Sequence, residues 1–238
     1  MDVLADELIA AYYNNDLETV AKAGDLLAGK DFEDSIKLGR INKILVEMRN
    51  FYPSDTFKNT FDKYKNQPVN DTIYSHYVKT HAEDGYAKWF LANVYIRKED
   101  YSKADDLLSD LLLNDPELLA ALNDKIMVKR ELNQPDSSLY YADKLLSINK
   151  ESLYGLSSKA RTLLKIKKNK QGLELALKCF NLEKNFPYNQ ATLALAYHYN
   201  KYYKQRDELL NRINIDSTTA AYMQYARDVI SNKVKFQN

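Results

Sequence analysis

Glycine is scarce in this chain. Only 6 of the 238 residues are glycine, well below the ~7% usual in globular domains. They stand singly at Gly24, Gly29, Gly39, Gly85, Gly155 and Gly172. No two have the spacing of a phosphate-cradling loop or a dinucleotide fingerprint, and so few leave little room for the tight hairpin turns of an all-β fold. Cysteine is scarcer still. Cys179 stands alone, which excludes an intramolecular disulfide and a cysteine-built zinc cluster. No apolar run reaches the ~18 residues of a membrane helix. The opening Met1-Asp2-Val3-Leu4-Ala5-Asp6-Glu7 has neither a basic nor an apolar leader segment, so no signal peptide is expected. A surplus of either charge is also missing. The 34 Lys+Arg against 33 Asp+Glu argue against a protein built to grip nucleic acid, which needs a basic excess.

The residues that are present favour helices. Hydrophobic content of 45% with 28% charged excludes global disorder. Leu, Ala, Lys, Glu, Asp and Asn are abundant, and strict apolar/polar alternation is nearly absent. The expected class is all-α. Tyrosine is the oddity, at 19 residues. The length allows one or two globular domains or a single repeat array.

A repeat is visible. Leu91, Ala92 and Tyr95 form one helical stripe, and Ala104, Leu108 and Leu111 form a second after Tyr101. Asp115 is placed to cap the following helix, with Pro116 in its first turn. With Gly85 as position 1 and a step of about 34 residues, position 27 reads Tyr77, Leu111, Leu145, Cys179 and Ile213. Position 24 reads Tyr74, Leu108, Ala142, Ala176 and Leu210. Position 11 reads Phe61, Tyr95, Lys129, Leu163 and Tyr197, and position 8 reads Lys58, Ala92, Ile126, Ala160 and Ala194. Of these 20 residues 18 are apolar, where the 45% composition predicts about nine. Position 20 reads Ala104, Ser138 and Gly172 in the middle of the array, small as a close helix crossing requires. Position 7 loses its leucine to Lys125 and Lys159.

These residues resemble the tetratricopeptide repeat (TPR), a helix-turn-helix whose Leu-Gly/Ala-x-x-Tyr falls on Leu91, Ala92 and Tyr95. The family's second-helix Tyr, small residue and Pro fall on Tyr101, Ala104 and Pro116. The family tryptophan belongs one residue before Trp89. The resemblance implies a right-handed α–α superhelix of about six helix pairs. The expected organisation is a single solenoid over 1–238: an N-terminal helix in 1–16, degenerate repeats over 17–84, clearer ones over 85–220 and a capping helix over 221–238. Neighbouring pairs must stack to bury both of their apolar stripes.

The resemblance also implies a concave groove lined by positions 2, 5, 9, 12 and 13 of each first helix. These positions give Tyr86, Trp89, Asn93, Ile96 and Arg97, then Asn123, Met127 and Arg130, then Tyr154, Ser157, Arg161 and Lys165. The last pair adds Tyr188, Ala191, Leu195, His198 and Tyr199. From this set Tyr86, Trp89, Asn93, Arg97, Asn123, Met127, Arg130, Tyr154, Arg161, Lys165 and His198 are the candidate partner-binding residues. Arginine and tyrosine concentrate binding energy at interfaces. Four cations against Glu131 alone point to an extended protein or peptide ligand carrying acidic groups or a free C-terminus. The family's carboxylate clamp for chaperone tails does not carry over. Only Asn93 matches it, and Trp89, Asp124, Tyr154 and Ser158 occupy its other places.

Nothing in the sequence points to catalysis. His76, His81 and His198 form no zinc motif, and the first two sit about 140° apart around a helix. Cys179 falls on an apolar position and reads as a small hydrophobe. Asp105-Asp106 and Glu99-Asp100 sit in first helical turns, where they favour the dipole. The run Lys165, Lys167, Lys168, Lys170 falls on a turn. The tyrosine doublets Tyr12-Tyr13, Tyr140-Tyr141 and Tyr202-Tyr203 are each expected to send one ring inward and one outward. The reading is therefore a non-enzymatic binding scaffold or adaptor, with no cofactor, no metal, no nucleic-acid partner and no membrane insertion. The alternatives are a helical-repeat RNA binder, a hydrolase using His198, or a sensor module of a larger system. The expected compartment is the cytoplasm, or the periplasm or another extracytoplasmic space if a signal segment preceded this chain.

Overall fold

A computed structural model describes Leu8, Leu27 and residues 54–64, 71–213 and 220–233. The helix expected over 3–14 and the pair expected over 17–50 lie outside these residues, except for Leu8 and Leu27, both helical and buried. The described residues form eleven α-helices and no strand. They are α1 (Asp55–Tyr64), α2 (Asp71–Thr80), α3 (Gly85–Arg97), α4 (Tyr101–Asn114), α5 (Leu119–Glu131) and α6 (Pro135–Ile148). After these come α7 (Leu153–Lys165), α8 (Asn169–Leu182), α9 (Pro187–Tyr199), α10 (Tyr203–Arg212) and α11 (Ala220–Ile230).

The register expected from the sequence is the register of the backbone. Helices α3, α5, α7 and α9 start at Gly85, Leu119, Leu153 and Pro187, 34 residues apart, and each has 13 residues. The second helices start at Tyr101, Pro135, Asn169 and Tyr203 on the same step. The turn repeats as well. Glu99, Asn133, Lys167 and Lys201 all have positive φ, between 57° and 64°. The amide after each donates back across the helix end: Asp100 to Tyr95 O, Gln134 to Lys129 O, Lys168 to Leu163 O and Tyr202 to Tyr197 O, at 2.8–2.9 Å. This is a left-handed helix stop that glycine usually fills, here built without glycine.

A non-glycine residue in that conformation costs about 1–2 kcal/mol. Glycine would add ~0.5–1 kcal/mol of unfolded-chain entropy. Lys167→Gly and Lys201→Gly are therefore each expected to stabilise the chain by about 0.5–1 kcal/mol, read as a higher urea midpoint. Lower midpoints for both would show that the turns are unstrained.

The Asp115 expectation needs correction. Pro116 keeps the residue before it out of the helical region, and Asp115 lies extended at φ −131°, ψ 92° as the C-cap of α4. Its carboxylate accepts the Glu117 amide at 3.1 Å, and α5 begins only at Leu119, after Leu118.

The chain divides into two compact units, residues 1–91 and 92–238. In the first, Phe57 of α1 sits among aromatic rings, with centroids 5.4 Å from Tyr77, 5.5 Å from Tyr86 and 5.3 Å from Phe90. Phe90 in turn lies 4.8 Å from Tyr74. Edge-on ring pairs of this kind add ~0.5–1.5 kcal/mol each beyond burial. Asp84 caps α3 by accepting the Ala87 amide at 2.9 Å, and its other oxygen receives Ser54 at 2.6 Å and Tyr77 at 3.1 Å. A single carboxylate thus ties both α1 and α2 to the start of α3.

In the second unit each helix packs on the next from α4 to α10. The first helices also touch one another, α5 with α7 and α7 with α9, and α11 packs on α9. Together α5, α7, α9 and α11 make a row. Small residues let each second helix approach: Ala104 and Ser138 are fully buried, and a Cβ on Gly172 would meet the Leu164 side chain at 2.8 Å. One tyrosine doublet departs from expectation. Tyr140 is exposed and Tyr141 half-buried, but Tyr202 and Tyr203 are both exposed, because α10 buries no residue at all.

Candidate functional site

Helix α7 lies at the middle of the row, in contact with α5, α6, α8 and α9. Ten of its 13 residues are buried, including the polar Ser157, Ser158, Arg161 and Thr162. Residues 154, 158, 161 and 165 follow helical spacing along one face. Tyr188 and Thr192 of α9 meet that face from the side. The Arg161 Nε donates to Thr192 Oγ1 at 2.9 Å, and its guanidinium lies over the Tyr188 ring at 4.1 Å and the Tyr225 ring of α11 at 5.7 Å. Tyr188 stacks on Tyr154 at 5.3 Å and 8°, and meets Tyr222 edge-on at 5.6 Å.

From α5, Arg130 joins the same group. Its Nε donates to Glu131 Oε1 at 3.0 Å, and its carbonyl accepts Lys165 Nζ at 2.7 Å. Arg130 and Arg161 are each only 7% exposed. Each keeps a terminal nitrogen buried and without a hydrogen-bond partner, Nη1 on Arg130 and Nη2 on Arg161, and the Asn123 carbonyl oxygen is in the same condition.

The electrostatics follow from this crowding. Burial alone would raise the Tyr188 phenol, but the Arg161 and Arg130 guanidiniums outweigh it and hold the group below its ordinary value. Burial, then Tyr188 and Asp124, push Tyr154 well up. Burial likewise raises Tyr222 and Tyr225. It lowers the Lys165 ammonium, with Glu131 acting in the opposite sense.

A phenol whose folded value is raised contributes stability that is complete below its unfolded value and is lost as pH climbs through the folded one. Tyr154, Tyr222 and Tyr225 share this direction with Tyr141, Tyr197 and Tyr199 of the same unit. The unit should therefore lose stability as pH rises above ~10, the ordinary tyrosine value. Phenolate absorbance is expected to appear together with loss of helical circular dichroism. Full ionisation with helicity intact would show that these rings are wet.

The candidates named from sequence do not all converge. Arg130, Tyr154, Arg161 and Lys165 come together. Asn93 is bonded through its amide nitrogen to the buried Asp124 carboxylate at 2.9 Å, and Met127 is half-buried on α5. Trp89, 4% exposed, and Tyr86 belong to the first unit, with ring centroids 5.5 Å apart. Arg97 is exposed at the end of α3. His198 receives Arg206 Nη1 at 3.0 Å, and burial and that cation lower its pKa. Tyr222, Tyr225 and Thr192 were not among the candidates. The signal for the two tyrosines was present, since position 1 of a further repeat falls on residue 221, where α11 lies.

Other chemistry has little support. Among the described residues no group of three His, Cys, Asp or Glu could hold a metal ion, and no helix is long and apolar enough to cross a membrane. Cys179 is fully buried, with Ser157 Oγ 3.3 Å away and the Asn189 carbonyl oxygen at 3.1 Å. In the first unit a cavity of about 540 Å³ opens between α1 and α2 beside His76 and His81. His81 Nδ1 is already engaged there by Thr80 and the Tyr77 carbonyl.

No sequence-family model and no curated relative matches the chain. Solved structures do. A tetratricopeptide repeat protein from Parabacteroides merdae superposes with a TM-score of 0.60 at 13% identity, over 98% of this chain and 86% of its own. YrrB, described as a TPR protein with an unusual peptide-binding site, gives 0.51 at 15% identity over 82% and 98%. MamA from Desulfovibrio magneticus gives 0.51 at 13% over 66% and 84%. This chain has the tetratricopeptide-repeat fold. Likenesses at such low identity are likenesses of fold alone. In TPR numbering Arg130 stands at position 12 of one repeat and Arg161 at position 9 of the next, with Tyr154 and Tyr188 at position 2 of successive repeats. Two cationic forks walled by aromatic rings can bind and orient an anionic group.

Proposed function

We propose that this chain is a non-catalytic TPR scaffold that holds a protein partner through an extended, acidic peptide segment laid along the face of α5, α7, α9 and α11. The observation that carries the reading is the placement of Arg130, Tyr154, Arg161 and Lys165 on neighbouring first helices, with Tyr188, Tyr222 and Tyr225 beside them. A row of parallel-placed first helices offers side chains at repeated intervals, which suits an extended ligand better than a compact one. The peptide-binding site ascribed to YrrB gives the same fold a precedent for this use.

Selection of random peptides displayed on phage tests the reading with the full chain. The expected result is a set of peptides enriched in Asp or Glu, whose binding drops about tenfold or more in Met127→Glu. Lys178→Glu, on the exposed side of α8, should leave binding unchanged. Peptides indifferent to Met127→Glu, or none selected at all, would remove this face as the partner site.

A further inference from the structure

We infer that the open ends of Arg130 and Arg161 form one anion site, and that it takes a single carboxylate of the bound peptide. This deepens the reading above and rests on it. The Arg161 guanidinium is 7% exposed, its Nε is committed to Thr192, and its faces are covered by the rings of Tyr188 and Tyr225. No carboxylate among the described residues pairs with it, and Nη2 is buried with no acceptor.

A buried cation without a counter-anion weakens a fold unless something else compensates, and cation–ring contacts compensate only in part. A buried donor left open in this way calls for an explanation. Arg130, one helix away, has a counter-anion in Glu131, but its Nη1 is likewise left open. Both guanidiniums act on the same phenol, that of Tyr188.

The chemistry of the missing acceptor can be read from what is left. Two open donors match the two oxygens of one carboxylate. Lys165 gives one of its three ammonium protons to the Arg130 carbonyl. Glu131, paired and nearly buried, would repel the second charge of a phosphate. The site thus suits a monoanion. The carboxylate can belong to a chain end or to an Asp or Glu side chain, and the probes below separate the two.

The test follows the arginine Nε–H resonances of the isotope-labelled full chain in a titration with short peptides. The probes are acetyl-trialanine as free acid, the same peptide as C-terminal amide, acetyl-Ala-Glu-Ala-amide, and inorganic phosphate. The Arg130 and Arg161 signals are expected to move and saturate with the free acid if the ligand is a chain end, or with the glutamate peptide if it is a side chain. Neither the plain amide nor phosphate should move them. Arg161→Met should weaken the response at least tenfold while melting no lower than the parent chain, which a merely structural arginine would not do.

Equal responses to the plain amide, a response to phosphate alone, or no response to either carboxylate overturns the site. If Arg161→Met fails to fold, the parent titration still decides. A phage-selected peptide that keeps full affinity for both Arg130→Gln and Arg161→Met removes the anion site but leaves peptide binding standing. Selection that yields no peptide removes the peptide reading, while the titration still judges the site.

Discussion

Asp105→Ala is expected to lower stability by about 3–5 kcal/mol, the usual cost of leaving a buried charge without its partner. The repeat register explains why a charge is buried there at all. Position 7 of a TPR first helix normally carries leucine, and in α5 it carries Lys125, 1% exposed. The lysine stem fills the space of the missing leucine, and its ammonium reaches α4. There it meets the Asp105 carboxylate at 2.8 Å, the Asp105 carbonyl at 2.8 Å and the Ser109 hydroxyl. Lys129 reaches the same carboxylate at 2.8 Å. Burial lowers the Lys125 pKa even though Asp105 works in the opposite direction, so desolvation outweighs the pairing. Lys125→Met leaves the Asp105 carboxylate with Lys129 and is accordingly expected to cost much less than Asp105→Ala. The double variant should recover most of the loss seen in Asp105→Ala. Urea denaturation of all three chains reads the cycle, and a Lys125→Met loss as large as that of Asp105→Ala would mean the pair itself holds α4 to α5.

Leu122→Ala should cost about 2–5 kcal/mol, through lost transfer energy and the cavity left behind. Leu122 is fully buried among Ile126, Ala142 and Leu145, with Leu112, Leu119 and Tyr141 at the edge of the same cluster. It therefore joins α4, α5 and α6 at one point. Helices of a stacked array draw their stability from neighbours, so the loss should spread beyond one pair. Hydrogen exchange is expected to speed up in α4 and α6 as well as in α5. Acceleration confined to α5 would show that these pairs fold independently.

The helix pairs were legible because they rest on a repeated apolar pattern. Leu108, Ala142 and Ala176 at position 24, and Leu111, Leu145 and Cys179 at position 27, are all buried, and composition alone would not place them so. Capping was less legible. Asp115 reads as an N-cap from its residue type, yet the proline after it dictates an extended backbone and a later helix start. The face proposed for the ligand was legible only in part. Position arithmetic found Arg130, Tyr154, Arg161 and Lys165 because first-helix geometry is constant along the array. It could not show that Asn93 is bonded to Asp124, or that Trp89 is buried, since those depend on which neighbour happens to be opposite. It also passed over Tyr222 and Tyr225, because a terminal helix reads as a lid rather than as a wall of a site.

On the function proposed above, affinity would depend on how tightly α11 closes against α9. Folded chains open locally as well as globally, and α11 supplies Tyr225 over Arg161 and Tyr222 against Tyr188. Each excursion of α11 would uncover the arginine and wet it. In the proposed site, occupancy and retention of α11 would thus be linked: whatever loosens α11 would weaken ligand capture, and a captured ligand would hold α11 shut.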